Sequence, residues 1–318
     1  MTLTENIFHM TKRELLYQWH SKKITLITII LFTLCGIHLF NLYSQVVRNY
    51  ELYVRTEQRL ISEGFDIIEI LSEDLDITHE GEGGSVLISN PLKYDFINLS
   101  ISIQHLEPQN IISNTLEYIV FVFCTLIFGI FASFSATHDF KSKTYKFISI
   151  QNTQVAIIIG KLISIIIIKI ITLGLALGFT FIGAIITRQL VNNQVPTHLY
   201  AMDNFNYIHG LFSQLLLTFT ILLFYLIIGF SLGFIFKNLI LPTIILFAYG
   251  LLIPILGAYD FRNIFSHFAH QVFLFNARFR LFPPTEINNS LGVALLTVTS
   301  ILLLSLVFLI AKKRDAYS

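Results

Sequence analysis

The chain has 318 residues and a net charge of +1, with 54% of its residues hydrophobic and only 13% charged. Soluble domains carry about 25% charged residues, which excludes most soluble-enzyme classes, and a near-neutral chain offers no basic field for nucleic acid. The mean hydropathy of +0.69 points to lipid surroundings.

Residues 5–20 place Ile7, Phe8, Thr11, Leu15 and Trp19 near helical spacing, with Lys12, Arg13 and Glu14 on other faces. This pattern predicts an amphipathic helix lying on the cytoplasmic membrane surface, with Trp19 at headgroup depth; a polar tail is the alternative. Apolar runs follow at 24–43, 116–136, 162–186, 211–236, 239–257 and 291–311. A spanning helix needs about 20 apolar residues at about 1.5 Å each, and every run meets that length. The predicted fold class is an all-α polytopic membrane protein with six transmembrane helices.

Basic residues set the orientation. With the N-terminus inside, the twelve cytoplasmic ones are Lys12, Arg13, Lys22, Lys23, Lys141, Lys143, Lys146, Lys161, Lys237, Lys312, Lys313 and Arg314. The eight outer ones, Arg48, Arg55, Arg59, Lys93, Arg188, Arg262, Arg278 and Arg280, are spread over far more loop. Both ends are therefore expected in the cytoplasm of a multi-pass protein of the cell membrane. The first run starts after Lys23 without a small-residue cleavage site, so no cleavable signal is expected. Cys35 and Cys124 both fall in spans, and no disulfide framework is read outside them.

Residues 44–115 form an acidic extracellular insert. Helical periodicity continues through Tyr43, Val46, Val47, Tyr50 and Val54, and Gly81, Gly83 and Gly84 mark a flexible turn. Asn90–Pro91 reads as a helix start, Asn as cap and Pro at the first position. Leu92, Phe96, Leu99, Ile103 and Leu106 then keep helical spacing, so the insert is expected to be a small helical cap on the outer ends of the membrane helices.

The third apolar run is longer than one crossing and contains Lys161 and Lys169. Lys169 reads either as a possible transport pathway residue or as a lysine snorkelling to the headgroups. Gly174 and Gly178, and Gly229 and Gly233, have GxxxG spacing, read mainly as bundle packing. Only Lys237 and Asn238 separate the fourth and fifth runs, which predicts a tight antiparallel pair, with Pro242 and Pro254 kinking the fifth. The aromatic segment 258–290 is expected to dip into the outer leaflet as a re-entrant hairpin. His267 and His270 lie three apart within it, but no third ligand follows, so no metal site is assigned.

No phosphate-binding loop, HExxH motif, nucleophile elbow or intramembrane carboxylate pair is present. No catalytic, metal or cofactor-binding residue is expected, and the chain is read as not an enzyme.

The stretch 138–161 reads HDFKSKTYKFISIQNTQVAIIIGK. It resembles the loop between the second and third helices of ABC-2 type transporter permeases. The pattern there is an acidic residue, basic residues, Gly-Thr, a hydrophobic pair, Pro, Ser/Thr-Arg and Gly-Lys. Asp139 stands at the acidic place, Thr144 at the threonine, Phe147 and Ile148 at the pair, and Gly160–Lys161 at the end. Lys143 replaces the usual glycine, and Asn152 the usual proline before Thr153 and Gln154. The front end, Lys12 to Leu15 and then Ser21 to Lys23, resembles the family's amphipathic elbow helix.

The resemblance implies the permease subunit of an ATP-binding-cassette exporter. A separate ABC ATPase subunit would bind the ATP, and a second permease copy or a paralogue would complete the membrane part. The organisation becomes an elbow helix at 1–23, a first span at 24–43, the insert at 44–115, and the remaining spans at 116–318 with a coupling loop at 137–160. Asp139, Lys141, Lys143, Thr144, Lys146, Phe147, Ile148 and Ile150 are the implied ATPase-coupling residues. In the elbow they are Phe8, Lys12, Arg13, Leu15 and Trp19. Physically, Phe147, Ile148 and Ile150 would anchor in a partner groove, while Asp139 and the lysines form rim pairs that set orientation. An amphipathic substrate, such as a peptide, antibiotic or lipid, would suit the apolar lining. The alternatives are an immunity or sensing complex that recognises a peptide through the insert, an ion-coupled secondary carrier, and a membrane-embedded enzyme.

Overall fold

The computed structural model describes residues 2–80, 85–200, 210–275 and 279–315. Gly81, Gly83, Gly84 and Arg278, named in the sequence analysis, lie outside the described residues. Twelve α-helices are present among the described residues: α1 (Leu3–His20), α2 (Lys23–Ser62), α3 (Ile67–Ser72), α4 (Pro91–His105), α5 (Pro108–Ile119), α6 (Thr125–Lys141), α7 (Tyr145–Gln151), α8 (Gln154–Asn192), α9 (Leu211–Phe236), α10 (Ile240–Phe247), α11 (Phe261–Val272) and α12 (Asn289–Asp315). The strands β1 (Ile77–Glu80) and β2 (Ser85–Ile88) pair antiparallel in a single hairpin. A π-turn at Val120–Cys124 joins α5 to α6 in one continuous helix.

Among the described residues, five helices are long and apolar enough to cross a membrane: Lys23–Ser62, Pro108–Lys141, Gln154–Asn192, Leu211–Phe236 and Asn289–Lys313. The chain is an all-α membrane protein in this sense. The run at 239–257, read as a sixth span, instead forms a short apolar helix, Ile240–Leu252. At 1.5 Å per residue that is roughly 20 Å, against a hydrocarbon core of about 30 Å.

Two features end the helix, Pro254 and the Arg262 side chain. Pro254 cannot donate a backbone hydrogen bond and biases the preceding residue out of the helix. The carbonyls freed there are taken by one guanidinium: Arg262 donates to the oxygens of Tyr249 at 2.8 Å, Ile253 at 2.6 Å and Pro254 at 2.8 Å. Asp260 caps α11 and pairs with Arg262 at 2.6 Å. Burial pushes the Asp260 carboxyl up, but hydrogen bonds from Arg262 and Tyr249 outweigh it and hold the group below the usual carboxylate range.

The chain divides into two compact units, the first made of residues 1–33, 116–177 and 207–318 and the second of 34–115 and 178–206. In the first unit, α6 and α9 approach to backbone contact. A Cβ added to Gly229 would stand 2.0 Å from the Gly129 oxygen, and one at Gly233 2.6 Å from the Ser133 oxygen. Ser133 Oγ seals the contact by donating to the Gly229 oxygen at 2.7 Å. The equally spaced Gly174 and Gly178 have nothing within 4 Å of an added Cβ, so the shared motif serves two different situations.

Between Phe279 and Asn288 the described chain is irregular and leads into α12. Asn263 ties this hairpin, donating to the Ala258 and Thr285 oxygens at 2.9 Å and accepting from the Thr285 N–H at 2.8 Å. His267 meets Asn289 at 2.7 Å, and His270 meets the Ser266 oxygen at 2.8 Å. His267 thus bridges the two arms of the hairpin, while the His270 contact stays within α11. Among the described residues, no three His, Cys, Asp or Glu side chains gather as a metal site.

In the second unit, α4 starts as its sequence predicts. Asn90 accepts from the Lys93 N–H at 3.0 Å, with Pro91 in the first turn. Leu92, Leu99, Ile103 and Leu106 are buried with Leu42, Val46 and Tyr53 of α2. Val191 and Val195 join the same core, so the end of α8 completes the hydrophobic interior of the insert. The rings of Tyr53, Phe96 and Tyr200 pack mutually at 5.3 to 6.1 Å.

Candidate functional site

At one end of the first unit, α1, α6, α7 and α8 meet around three buried charges. Lys161, near the start of α8, places its ammonium 2.7 Å from Asp139 Oδ2 and 3.8 Å from Glu14 Oε2. It also donates to the Ser135 oxygen at 2.7 Å. Glu14 Oε1 accepts from Gln18 Nε2 at 2.8 Å and from Ser135 Oγ at 3.0 Å. On Asp139 Oδ1 converge Thr144 Oγ1 at 3.3 Å, His138 Nδ1 at 3.2 Å and Arg13 at 3.9 Å.

Two carboxylates against Lys161 alone would leave an excess negative charge in a buried place. Arg13 and the hydrogen bonds from Ser135, Gln18 and Thr144 offset it, which is what buried ions require. Gly160 makes the arrangement possible: a Cβ there would stand 2.7 Å from Met10 Cβ, so α1 can lie directly on α8. The Tyr17 ring packs tilted against His138, with centroids 3.8 Å apart. Burial, reinforced by Glu14 and Asp139, pushes the Tyr17 hydroxyl up.

Beside this cluster, α7 is held by one face and presents the other. Ile148 is 6% exposed and packs with Met10, Ala156 and Ile157. Tyr145 stacks on Phe140 at 4.4 Å and donates to Gln154. Phe147 and Ile150, three residues apart on the other face, are 72% and 74% exposed. Lys141, Lys143 and Lys146 are exposed or half-exposed around them.

The roles expected within 137–160 therefore separate. Asp139 is no rim residue: it is fully engaged with Lys161 inside the protein. Ile148 is no free anchor either, because it fastens α7 to α1 and α8. Thr144 belongs with Asp139. Phe147 and Ile150 remain as the two projecting apolar side chains.

In α1 the buried face consists of Met10, Thr11, Glu14 and Gln18, a partly polar surface turned toward the ion cluster. Phe8, Lys12 and Trp19 are exposed, Leu15 is half-buried, and Arg13 reaches Asp139. Glu14, Ser135 and His138 were not anticipated as site residues. The only sequence signal for them is a carboxylate on an apolar-flanked helix and a lysine inside an apolar run, which match only once the fold is known.

Lys169 is not extended toward a membrane surface. Its ammonium lies 3.6 Å from the centre of the Phe219 ring on α9, and the residue is 1% exposed. A cation on an aromatic face in apolar surroundings is a favourable arrangement, reached here sideways across the helix pair.

The turns at this end share a backbone feature. Lys22 between α1 and α2, Lys143 between α6 and α7, and Lys237 after α9 have φ of 58°, 57° and 53°. Glycine usually takes the left-handed position just past a helix. The lysine at 143, where the ABC-2 pattern has glycine, keeps a glycine conformation.

Searches of protein-family models, curated proteins and solved structures returned no match to this chain.

Proposed function

We propose that the chain is the membrane-embedded permease subunit of an ATP-binding-cassette exporter of the cell membrane. The observation that carries this reading is α7. It is a short helix anchored inward by Tyr145 and Ile148 that offers Phe147 and Ile150 outward within a lysine-rich rim. An apolar pair that is exposed, mounted on a helix fastened by its other face and surrounded by charge suits a protein partner's groove.

In this reading the end carrying α1 and α7 is cytoplasmic. A partner ATPase closing on ATP pushes α7, and the Lys161–Asp139–Glu14 cluster passes the displacement to α1, α6 and α8 together. The membrane helices then rock and release an amphipathic substrate outward. A second copy or a paralogue supplies the other half, for which α12, with only 11% of its apolar window buried, leaves ample surface.

The test is extraction in mild detergent from cells expressing the tagged chain. The reading expects a protein with ATP-binding motifs to be recovered in near-equal amount. Recovery of the chain alone, working under an ion gradient, would replace it with the carrier reading.

A second reading, sensing of an external ligand, is favoured by a polar cleft of about 620 Å³ in the second unit, bordered by Arg188, Asn192, Asn193 and His198. Residues 192–198 replaced by a Gly-Ser linker would abolish a sensing response yet spare export.

A further inference from the structure

A cleft of about 960 Å³ opens at the same end of the first unit, between α1, the end of α6 and the α9–α10 turn. Its lining has two characters. Phe134, Phe140, Leu239 and Ile240 form an apolar floor, while Lys141 and Lys237 stand over it. A third ammonium is close by: Lys23 Nζ lies 3.3 Å from the Phe134 ring centre and 2.8 Å from the Tyr17 hydroxyl. Among the described residues, none of these three lysines is in an ion pair with a carboxylate, although the nearby Lys161 is paired twice. Like charges set close together repel one another, and an anion bound in the cleft would relieve that repulsion.

Lys237 ends α9 with φ of 53°, a left-handed position that it shares with Lys22 and Lys143. Beyond the cleft, Ile240 and Ile244 are exposed one helical turn apart, continuing the apolar floor along α10.

A small free anion would use the ammoniums but not the floor, and a peptide carboxylate would not need the apolar track. An amphiphile with a phosphate head and acyl tails uses both, and helix ends of this kind lie at headgroup depth. We propose that this cleft is a binding site for an anionic phospholipid. Its phosphate is held by Lys141, Lys237 and Lys23, and one acyl chain runs over Phe140 and Leu239 along α10. The inference rests on the reading above only in placing this end at a membrane surface. It does not depend on an ATPase partner.

The experiment is native mass spectrometry of the full chain, released from detergent containing equal amounts of phosphatidylglycerol and phosphatidylcholine with identical tails. The wild type is expected to retain phosphatidylglycerol over phosphatidylcholine by about tenfold or more. Lys141→Gln with Lys237→Gln should abolish that preference. Lys143→Gln, at an exposed lysine that does not line the cleft, should keep it, and millimolar inorganic phosphate should not compete. Both cleft lysines are exposed, so the double variant is expected to fold; if its thermal unfolding drops by more than a few degrees, Lys141→Gln alone is scored in the same way. Equal retention of the two lipids, an unchanged preference in the cleft variants, an equal loss in Lys143→Gln, or displacement by inorganic phosphate would each overturn the site. Because the readout is lipid retention, absence of a co-purified ATPase leaves this result untouched.

Discussion

Taking a lysine ammonium out of water costs several kcal/mol unless charge and hydrogen bonds replace the solvent. Lys161 meets this demand with Asp139, Glu14 and the Ser135 carbonyl. Lys161→Met would leave two carboxylates facing each other in the interior. A loss of about 3–5 kcal/mol is expected, read as a fall in detergent-solubilised thermal unfolding. A variant as stable as wild type would mean that the cluster is solvated. Lys143 gives a prediction of opposite sign. Its left-handed backbone costs about 1–2 kcal/mol for a residue with a Cβ, part of which glycine returns as unfolded-chain entropy. Lys143→Gly should therefore raise stability by about 0.5–1 kcal/mol; a decrease would show that its side chain has a structural partner. Residue identities alone exposed the Lys143 departure from the ABC-2 pattern but not its cost, since φ is a property of the turn.

At the scale of elements, local signals were read well and long-range ones were not. The Asn90–Pro91 cap and the apolar spacing of α4 are encoded within a few residues, and the structure follows them. The end of α10 depends on Arg262 reaching back to carbonyls at 249, 253 and 254, beyond the window of a hydropathy run. In α1 the apolar spacing is visible, but the face turned to the protein is the one carrying Glu14 and Gln18, because the partners of Glu14 lie on α6 and α8 and Gln18 donates to Glu14. GxxxG spacing was equally ambiguous. Gly229→Val should disrupt the α6–α9 contact and lower thermal stability sharply, since its Cβ would overlap the Gly129 carbonyl. Gly174→Val meets open space and should leave the monomer's stability unchanged. If both variants behave alike, the close approach of α6 and α9 is not what holds the pair.

At the scale of the molecule, six apolar runs yield five helices of spanning length and one short one, while the insert borrows the end of α8 for its core. That borrowing is hidden in the sequence because Val191 and Val195 follow the apolar run 162–186 and read as its continuation. The second unit also has a pH signature. Burial lowers the His105 pKa from 6.5 to about 4, so the folded chain keeps the ring neutral while the unfolded chain protonates it. Stability is complete above about pH 6.5 and falls as the pH drops toward 4. His105→Gln should flatten this acid limb of the melting profile; an unchanged profile would assign the limb to other groups.

The central claim is that work enters through the outward face of α7. Phe147→Asp together with Ile150→Asp alters only side chains that are already exposed, so membrane insertion and thermal stability should persist. The decisive measurement is ATP hydrolysis by the assembly recovered with the chain, wild type against this double variant. The account predicts that the variant loses the ATPase or its substrate-stimulated hydrolysis while the chain stays folded. Full stimulated hydrolysis in the variant, at wild-type stoichiometry, would contradict it.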